Sequence, residues 1–229
     1  MVSEQLHYTT NREEIFIFSN KKMSYLCGVW RFANAYLNKV KRRLQMTQKL
    51  AVFFPGIGYH NDKPLLYYSQ KLAKEFGFEC IKVNYNGFAS GIKSNKEKMK
   101  EALEIAYSQT EPLLAAVDWS KYSDIIFISK SIGTAVAAQY AEKHNLKCRN
   151  IYMTPLSETF LFKPKKGIAF HGTADDWADT EDIKDKCSQY DLKLYITPDA
   201  NHSLETDNTI ENIKIIQKTM EYIKNYIDN

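Results

Sequence analysis

Six short runs of apolar residues, each of strand length, alternate along the chain with segments whose apolar positions recur at helical spacing. No other feature limits the possible folds so sharply. The runs occupy residues 50–54, 80–83, 124–129, 150–153, 167–170 and 192–196. Between the first two, Leu65, Leu66, Leu72 and Phe76 follow Pro64, a residue suited to a first helical turn. Further helices are predicted over 95–117 (interrupted near Pro112), 132–144 and 207–227. A strand with one wet face alternates polar and apolar residues, whereas a strand covered on both faces reads as apolar throughout. The pattern therefore predicts an α/β chain: a doubly wound, mostly parallel sheet of about six strands with helices on both faces.

Composition adds bounds rather than identity. A length of 229 residues suits one domain, and 44% hydrophobic with 25% charged residues is ordinary for a folded soluble chain. Cys27, Cys80, Cys148 and Cys187 lie far apart without a CxxC pair, which argues against a metal cage or disulfide scaffold and for a reducing, cytoplasmic setting. No apolar run approaches the roughly 20 residues that cross a bilayer. The net charge of +4 is unevenly spread, since residues 1–45 carry eight Lys/Arg against three Asp/Glu. The remainder has no basic footprint for nucleic acid. Residues 1–45 form a basic and aromatic extension, distinct from the body at 46–229. Three readings stand for it: a poorly ordered tail, an amphipathic helix touching a membrane or partner, or a reading frame begun too early. In the last, Lys41-Arg42-Arg43 is a translated ribosome-binding site and Met46 the initiator.

The chemistry concentrates after the strands. Residues 126–138 read Ile-Phe-Ile-Ser-Lys-Ser-Ile-Gly-Thr-Ala-Val-Ala-Ala: a buried strand, then Ser131, then a helix rich in small residues. This strand–turn–helix context is what a nucleophile elbow requires, with small residues two before and two after the serine. Here they are Ser129 and Gly133, and serine fills the first position less readily than glycine if the backbone there is strained. Ser131 could equally be a plain helix N-cap. The turn Pro55-Gly56-Ile57-Gly58-Tyr59 could aim the Ile57 backbone N–H at the same place or simply end a strand; its spacing fits no dinucleotide or phosphate loop. Asp175 and Asp176 follow the fifth strand and His202 the sixth, at the rim where parallel sheets place ligands. His60 and His171 sit in rim loops, His7 in the extension and His144 late in a helix. Serine, acid and histidine come in the order Ser, Asp, His.

With these residues in view, 49–228 resemble the α/β-hydrolase superfamily. The resemblance rests on the elbow Ser129-Lys-Ser131-Ile-Gly133, the acid loop Gly172-Thr-Ala-Asp175 and the histidine loop Ala200-Asn-His202. It implies Asp175 rather than Asp176 as the acid, three residues after the glycine. It likens Pro55-Gly56-Ile57 to the family's His-Gly-X oxyanion loop, with Pro replacing His. The usual first two antiparallel strands are not evident, as in compact, trimmed members. The implied reaction is acyl transfer, with Ser131 as nucleophile, His202 as base, Asp175 orienting it, and the N–H groups of Ile57 and Ile132 as oxyanion donors. A Ser131–Lys130 dyad is the rival, disfavoured because neighbouring side chains diverge around an elbow, so that Lys130 should point away from the pocket.

In the superfamily a lid commonly follows the strand after the elbow helix. Residues 154–166 are too few for one, which predicts an open site shaped by Tyr59, His60, Tyr85, Leu156, Phe160 and Trp177. That suits a small-molecule ester or thioester and makes a carboxylesterase or thioesterase the expected activity, with no cofactor or metal. The competing expectations are a non-catalytic binding protein on the same fold and a membrane-associated lipase using residues 1–45.

Overall fold

The structure, a computed structural model, describes Tyr36, residues 48–93 and residues 95–229. The expectations for the N-terminal extension therefore lie outside the described residues, Tyr36 apart. Six strands make one sheet: β1 (Gln48–Phe54), β2 (Phe78–Lys82), β3 (Tyr122–Lys130), β4 (Arg149–Met153), β5 (Gly167–Gly172) and β6 (Lys193–Thr197). Their order is β2-β1-β3-β4-β5-β6, and every neighbouring pair is parallel. Helices α1 (Pro64–Glu75), α2 (Lys96–Ala115), α3 (Ile132–Lys143) and α4 (Thr180–Gln189) lie between them, and α5 (Thr209–Asp228) follows β6.

Strand period sorts the apolar residues onto two faces. Leu50, Val52, Phe54, Ile125 and Phe127 pack with α2 and α3, while Ala51, Phe53, Ile126, Ile128, Ile151 and Met153 pack with α1 and α5. A smaller cluster on Tyr152 and Ala169 is covered by Ile183 and Cys187 of α4. Both faces are thus buried, which is why the strands read as apolar throughout. At the amino end of the sheet Arg149 holds both carboxylate oxygens of Asp124 and donates to the carbonyls of Tyr226 and Ile227, tying β3, β4 and the end of α5 together.

One sequence expectation fails here. The helix over 95–117 is not interrupted at Pro112, which lies inside α2. Pro112 lacks the N–H that would bond the Ser108 carbonyl, but both residues are exposed, so water can satisfy that oxygen and the helix runs another turn. The chain divides into two units, Met1–Met46 and Thr47–Asn229.

The strand order reverses direction between β1 and β3, one connection leading outward to β2 and the rest the other way. Such a switch point leaves a crevice beyond the carboxyl ends of its two strands. The loops after β1 and β3 are those carrying Gly56-Ile57 and Ser131.

Candidate active site

Ser131 connects β3 to α3 with φ 58° and ψ −129°, a conformation that costs a non-glycine residue of order 1–3 kcal/mol. The strain has a visible cause. The elbow turns so tightly that a Cβ on Gly133 would stand 2.3 Å from the Phe54 carbonyl oxygen and 2.4 Å from that of Pro55. Ser129, by contrast, has no positive φ; it is a regular strand residue whose hydroxyl donates to the Ile151 carbonyl at 3.0 Å. The first small position of the elbow therefore demands small size rather than glycine's freedom. Although Ser131 stands at the N-cap of α3, its side chain caps nothing. The hydroxyl is engaged elsewhere.

Ser131 Oγ lies 2.8 Å from His202 Nε2, and His202 Nδ1 lies 2.8 and 2.9 Å from the two Asp175 oxygens. A carboxylate can only accept, so Nδ1 carries the proton and Nε2 is left to accept from the serine hydroxyl. Backbone contact enforces the arrangement. A Cβ on Gly172 would sit 2.1 Å from the Ala200 carbonyl oxygen, so the acid loop and the histidine loop touch main chain to main chain. The Ala174 N–H donates to that same oxygen at 2.9 Å, and the Thr173 hydroxyl accepts from the Asp199 N–H at 2.8 Å.

Asp175 has a fully buried side chain and also accepts from the Trp177 N–H at 2.8 Å. Burial alone would raise its carboxyl, but the bonds from His202 and Trp177 outweigh it and hold the group below its ordinary range. Burial, together with the positive charge of Lys130, pulls His202 below its ordinary value despite the attraction of Asp175. The imidazole is a free base at neutral pH. The Trp177 indole stacks on it, centroids 5.3 Å apart at 24°, and its π face favours the imidazolium that forms on proton uptake. Asp176 faces outward and pairs with Lys93, leaving Asp175 as the carboxylate that reaches the histidine.

Ile132 is the first residue of α3, where backbone N–H groups have no partner within the helix and the dipole is positive. A Cβ on Gly56 would lie 3.0 Å from Ser131 Cβ, so the β1 loop, in which Ile57 follows Gly56, runs against the serine.

The residues expected to shape the pocket divide. Trp177 lies on the imidazole, and exposed His60 stands in the β1 loop, its ring bonded only to its own turn through the Asp62 N–H. Tyr85 is half-buried against the α2–α3 face. Tyr59, Leu156 and Phe160 are corrections: each is 6% exposed or less and fills an apolar cluster, because the rim loops pack down onto the sheet instead of standing off it. The Tyr59 hydroxyl accepts from the Leu65 N–H at 3.1 Å, fixing the start of α1. His171 also lies inside rather than at the rim. It is fully buried, with Nε2 3.0 Å from Thr180 Oγ1 and Nδ1 3.7 Å from Asp175.

Lys130 was expected to point away from the pocket, and its ammonium does avoid Ser131. It is nevertheless completely buried beneath the histidine loop, 2.7 Å from the His202 carbonyl oxygen and 2.6 Å from Thr154 Oγ1. Sequence reasoning assigned it no part there, although a lysine between an apolar strand and a small-residue helix has no route to solvent. Among the described residues no three His, Cys, Asp or Glu side chains gather as metal ligands, and no helix is long and apolar enough to cross a membrane.

Neither a family model nor a curated protein matches the chain. Solved structures do. An alpha-beta serine hydrolase homologue from Coxiella burnetii aligns with TM-score 0.54 at 14% identity, covering 76% of this chain and 84% of that one. A serine hydrolase without lid from Xanthomonas campestris aligns with TM-score 0.51 at 13% identity, covering 79% and 83%. Est1E from Butyrivibrio proteoclasticus, with ferulic acid bound, aligns with TM-score 0.53 at 13% identity over 78% and 90%.

Proposed function

The chain has the α/β-hydrolase fold, and from that premise we propose that it is a serine hydrolase cleaving a carboxylic ester or thioester through an acyl-enzyme. The observation that carries this reading is the unbroken relay from Ser131 Oγ through the His202 imidazole to the buried Asp175 carboxylate, every link within 2.9 Å.

In the first half-reaction His202 Nε2 takes the hydroxyl proton as Ser131 Oγ bonds to the substrate carbonyl carbon. The imidazolium is stabilised by Asp175, which stays ionised. The oxygen that gains negative charge faces the Ile132 and Ile57 amides, a donor of this kind being worth about 3 kcal/mol. Collapse breaks the bond to the alcohol or thiol, which leaves with the proton from His202. Water then repeats the sequence on the acyl-serine, releasing the carboxylic acid. The strained φ of Ser131 supports the role, since it turns the side chain away from helix capping and toward the crevice.

The open-site expectation has support in the β4–β5 connection, where residues 154–166 hold only a short 3-10 segment (Ser157–Phe162). A connection this short, with no room for a separate cap, suits acyl groups presented from solvent. A fluorophosphonate probe with the full chain tests the reading, together with a panel of p-nitrophenyl esters and acyl thioesters of graded length. Labelling at Ser131 and turnover that falls roughly 10⁴-fold or more in Ser131→Ala are expected. Absence of labelling in the wild type would point to a binding protein built on this fold and sink the proposal.

A further inference from the structure

We propose that Lys130 is a positioning residue of the relay: its buried amino group clamps the histidine loop onto the nucleophile elbow and, when protonated, sets a positive charge beneath the imidazole. The inference rests on reading Ser131, His202 and Asp175 as the catalytic relay, and adds a fourth side chain to it.

The geometry is that of a strut. Lys130 is the last residue of β3, directly before Ser131, and none of it is exposed. Its three N–H donors find three partners on three other segments: Thr154 Oγ1 after β4 at 2.6 Å, the His202 carbonyl at 2.7 Å, and the face of the Tyr59 ring after β1 with its centroid 5.0 Å away. Each partner is itself fixed. Thr154 has φ 44°, and its N–H donates to the Phe170 carbonyl at 2.7 Å; the Tyr59 hydroxyl is held by Leu65. The histidine loop keeps its own shape through the Asn201 carboxamide, which accepts from the Ser203 and Glu205 N–H groups. Those bonds shape the loop, and main-chain contacts at Gly172 and Ala174 dock it on the acid loop. The bond from Lys130 to the carbonyl of His202 is what ties it to the elbow that carries Ser131.

A stability argument alone does not account for this lysine. Among the described residues no carboxylate lies within 4.0 Å of its ammonium, and an ammonium buried without a contacting counter-charge is disfavoured relative to an aliphatic side chain of similar volume. Its surroundings set its charge. Burial brings Lys130 down to about 7 while Asp175, from the loop after β5, and Glu205, from the histidine loop, oppose the fall. Facing it also are the His202 imidazole, which its charge disfavours from protonation, and the Tyr59 phenol, held neutral at about 12 chiefly by burial. Thr154, on the β4 side, is neutral. A deprotonated amine still has two N–H donors for Thr154 and His202, so the clamp survives titration while the charge beneath the imidazole does not.

The test compares wild type, Lys130→Met, Lys130→Arg and Thr154→Val in the full chain by two readouts. The first is the rate of fluorophosphonate labelling against pH, with kcat and KM on any ester the wild type cleaves. The second is the NMR titration of the His202 ring, assigned by its loss in His202→Gln, which needs no chemistry at Ser131. Lys130→Met is expected to lower labelling and kcat by roughly 10- to 100-fold with KM unchanged, the scale of misplacing a reacting group by about an ångström. It should also move the His202 midpoint upward by about one pH unit as the nearby cation is lost. Lys130→Arg keeps the midpoint in place, and Thr154→Val, which removes one acceptor and leaves the charge, lowers the rate without moving it. Should Lys130→Met not fold, Thr154→Val carries the test: it removes one acceptor of the Lys130 amino group at nearly constant volume, and labelling within twofold of wild type there overturns the inference. Labelling within twofold of wild type, or a His202 midpoint that stays put in Lys130→Met, overturns the inference. A wild type that is not labelled overturns the proposed function instead, and the NMR readout still decides the clamp.

Discussion

Burying Lys130 should leave a pH signature on stability that one substitution erases. In the unfolded chain the lysine titrates at 10.5, and in the folded protein at about 7. Between those values the unfolded state binds one proton more than the folded state, so stability must rise with pH, by about 1.4 kcal/mol per pH unit. The contribution is complete above 10.5 and is lost as pH falls to about 7; from there to full protonation it is roughly 5 kcal/mol, an upper scale for a wholly buried group. Extreme pH is unnecessary. From pH 6 to pH 9 the expected change is roughly 3 kcal/mol, since the slope applies only above about 7. Other groups titrate in the same window, and Lys130→Met removes by difference those that do not interact with Lys130; His202, which does, titrates below 6.5 in the wild type, so the comparison is read above about pH 7.5. Urea unfolding followed by tryptophan fluorescence, at several pH values with matched m-values, should show wild type gaining on the variant steadily as pH rises. A wild-type-minus-variant difference constant to within about 0.5 kcal/mol would refute the reasoning, because the lysine would then have to be solvated or paired in the folded state.

Two further outcomes follow from the site. Activity should be lost on acidification through a single limb below 6.5, the ordinary histidine value, because burial and the Lys130 charge hold His202 low and only its neutral form accepts the serine proton; a kcat/KM profile with its limb above that value contradicts the assignment. Gly133→Ala should cost about 3 kcal/mol and abolish fluorophosphonate labelling, since its Cβ meets two carbonyl oxygens at 2.3 and 2.4 Å, whereas Gly58→Ala, with nothing within 4 Å, should stay within about 0.5 kcal/mol of wild type by urea unfolding. Equal effects at the two glycines would show that the elbow is not the tight turn described.

What could be read from the sequence was whatever depends on period and order. The apolar runs placed all six strands within two residues at every end, most plainly in the four central strands, which are buried on both faces. They undershot the starts of β1, β2 and β3 by two residues each; in β3 Tyr122 pairs with Gln48 of β1 across a register shift that leaves Ser123 without a partner. Ser131, Asp175 and His202 could be singled out because each directly follows a strand, and chain order says which loops share a rim. Side-chain direction within a loop has no period. Tyr59, Leu156 and Phe160 are in rim loops, and only packing decides that they face the sheet. Lys130 shows a different gap. It was expected to diverge from Ser131 around the elbow, and it does, but the strand before it and the helix after it are both buried, so its stem runs inward beneath the histidine loop.

The distribution of backbone strain separates structural from site-building residues more cleanly than composition does. Seven described non-glycine residues have positive φ. Asn145, Lys163 and Asp191 each stand at or just past the end of a helix or 3-10 segment, where a left-handed residue satisfies the last carbonyls and needs no further reason. The other four are Ser131, Thr154, Asp199 and Leu204. None of these ends a helix, and all lie beyond carboxyl ends of β3, β4 and β6. Two flank His202, one is the serine it contacts, and one accepts the Lys130 ammonium. Conformations that cost of order 1–3 kcal/mol each persist only where surrounding contacts over-determine them. Here the over-determination is concrete: main chain against main chain at Gly133 and Gly172, and one ammonium joining three loops. The four strained residues beyond the strand ends are therefore held in place by contacts that reach them from several loops at once, which is the rigidity the proposed relay would need.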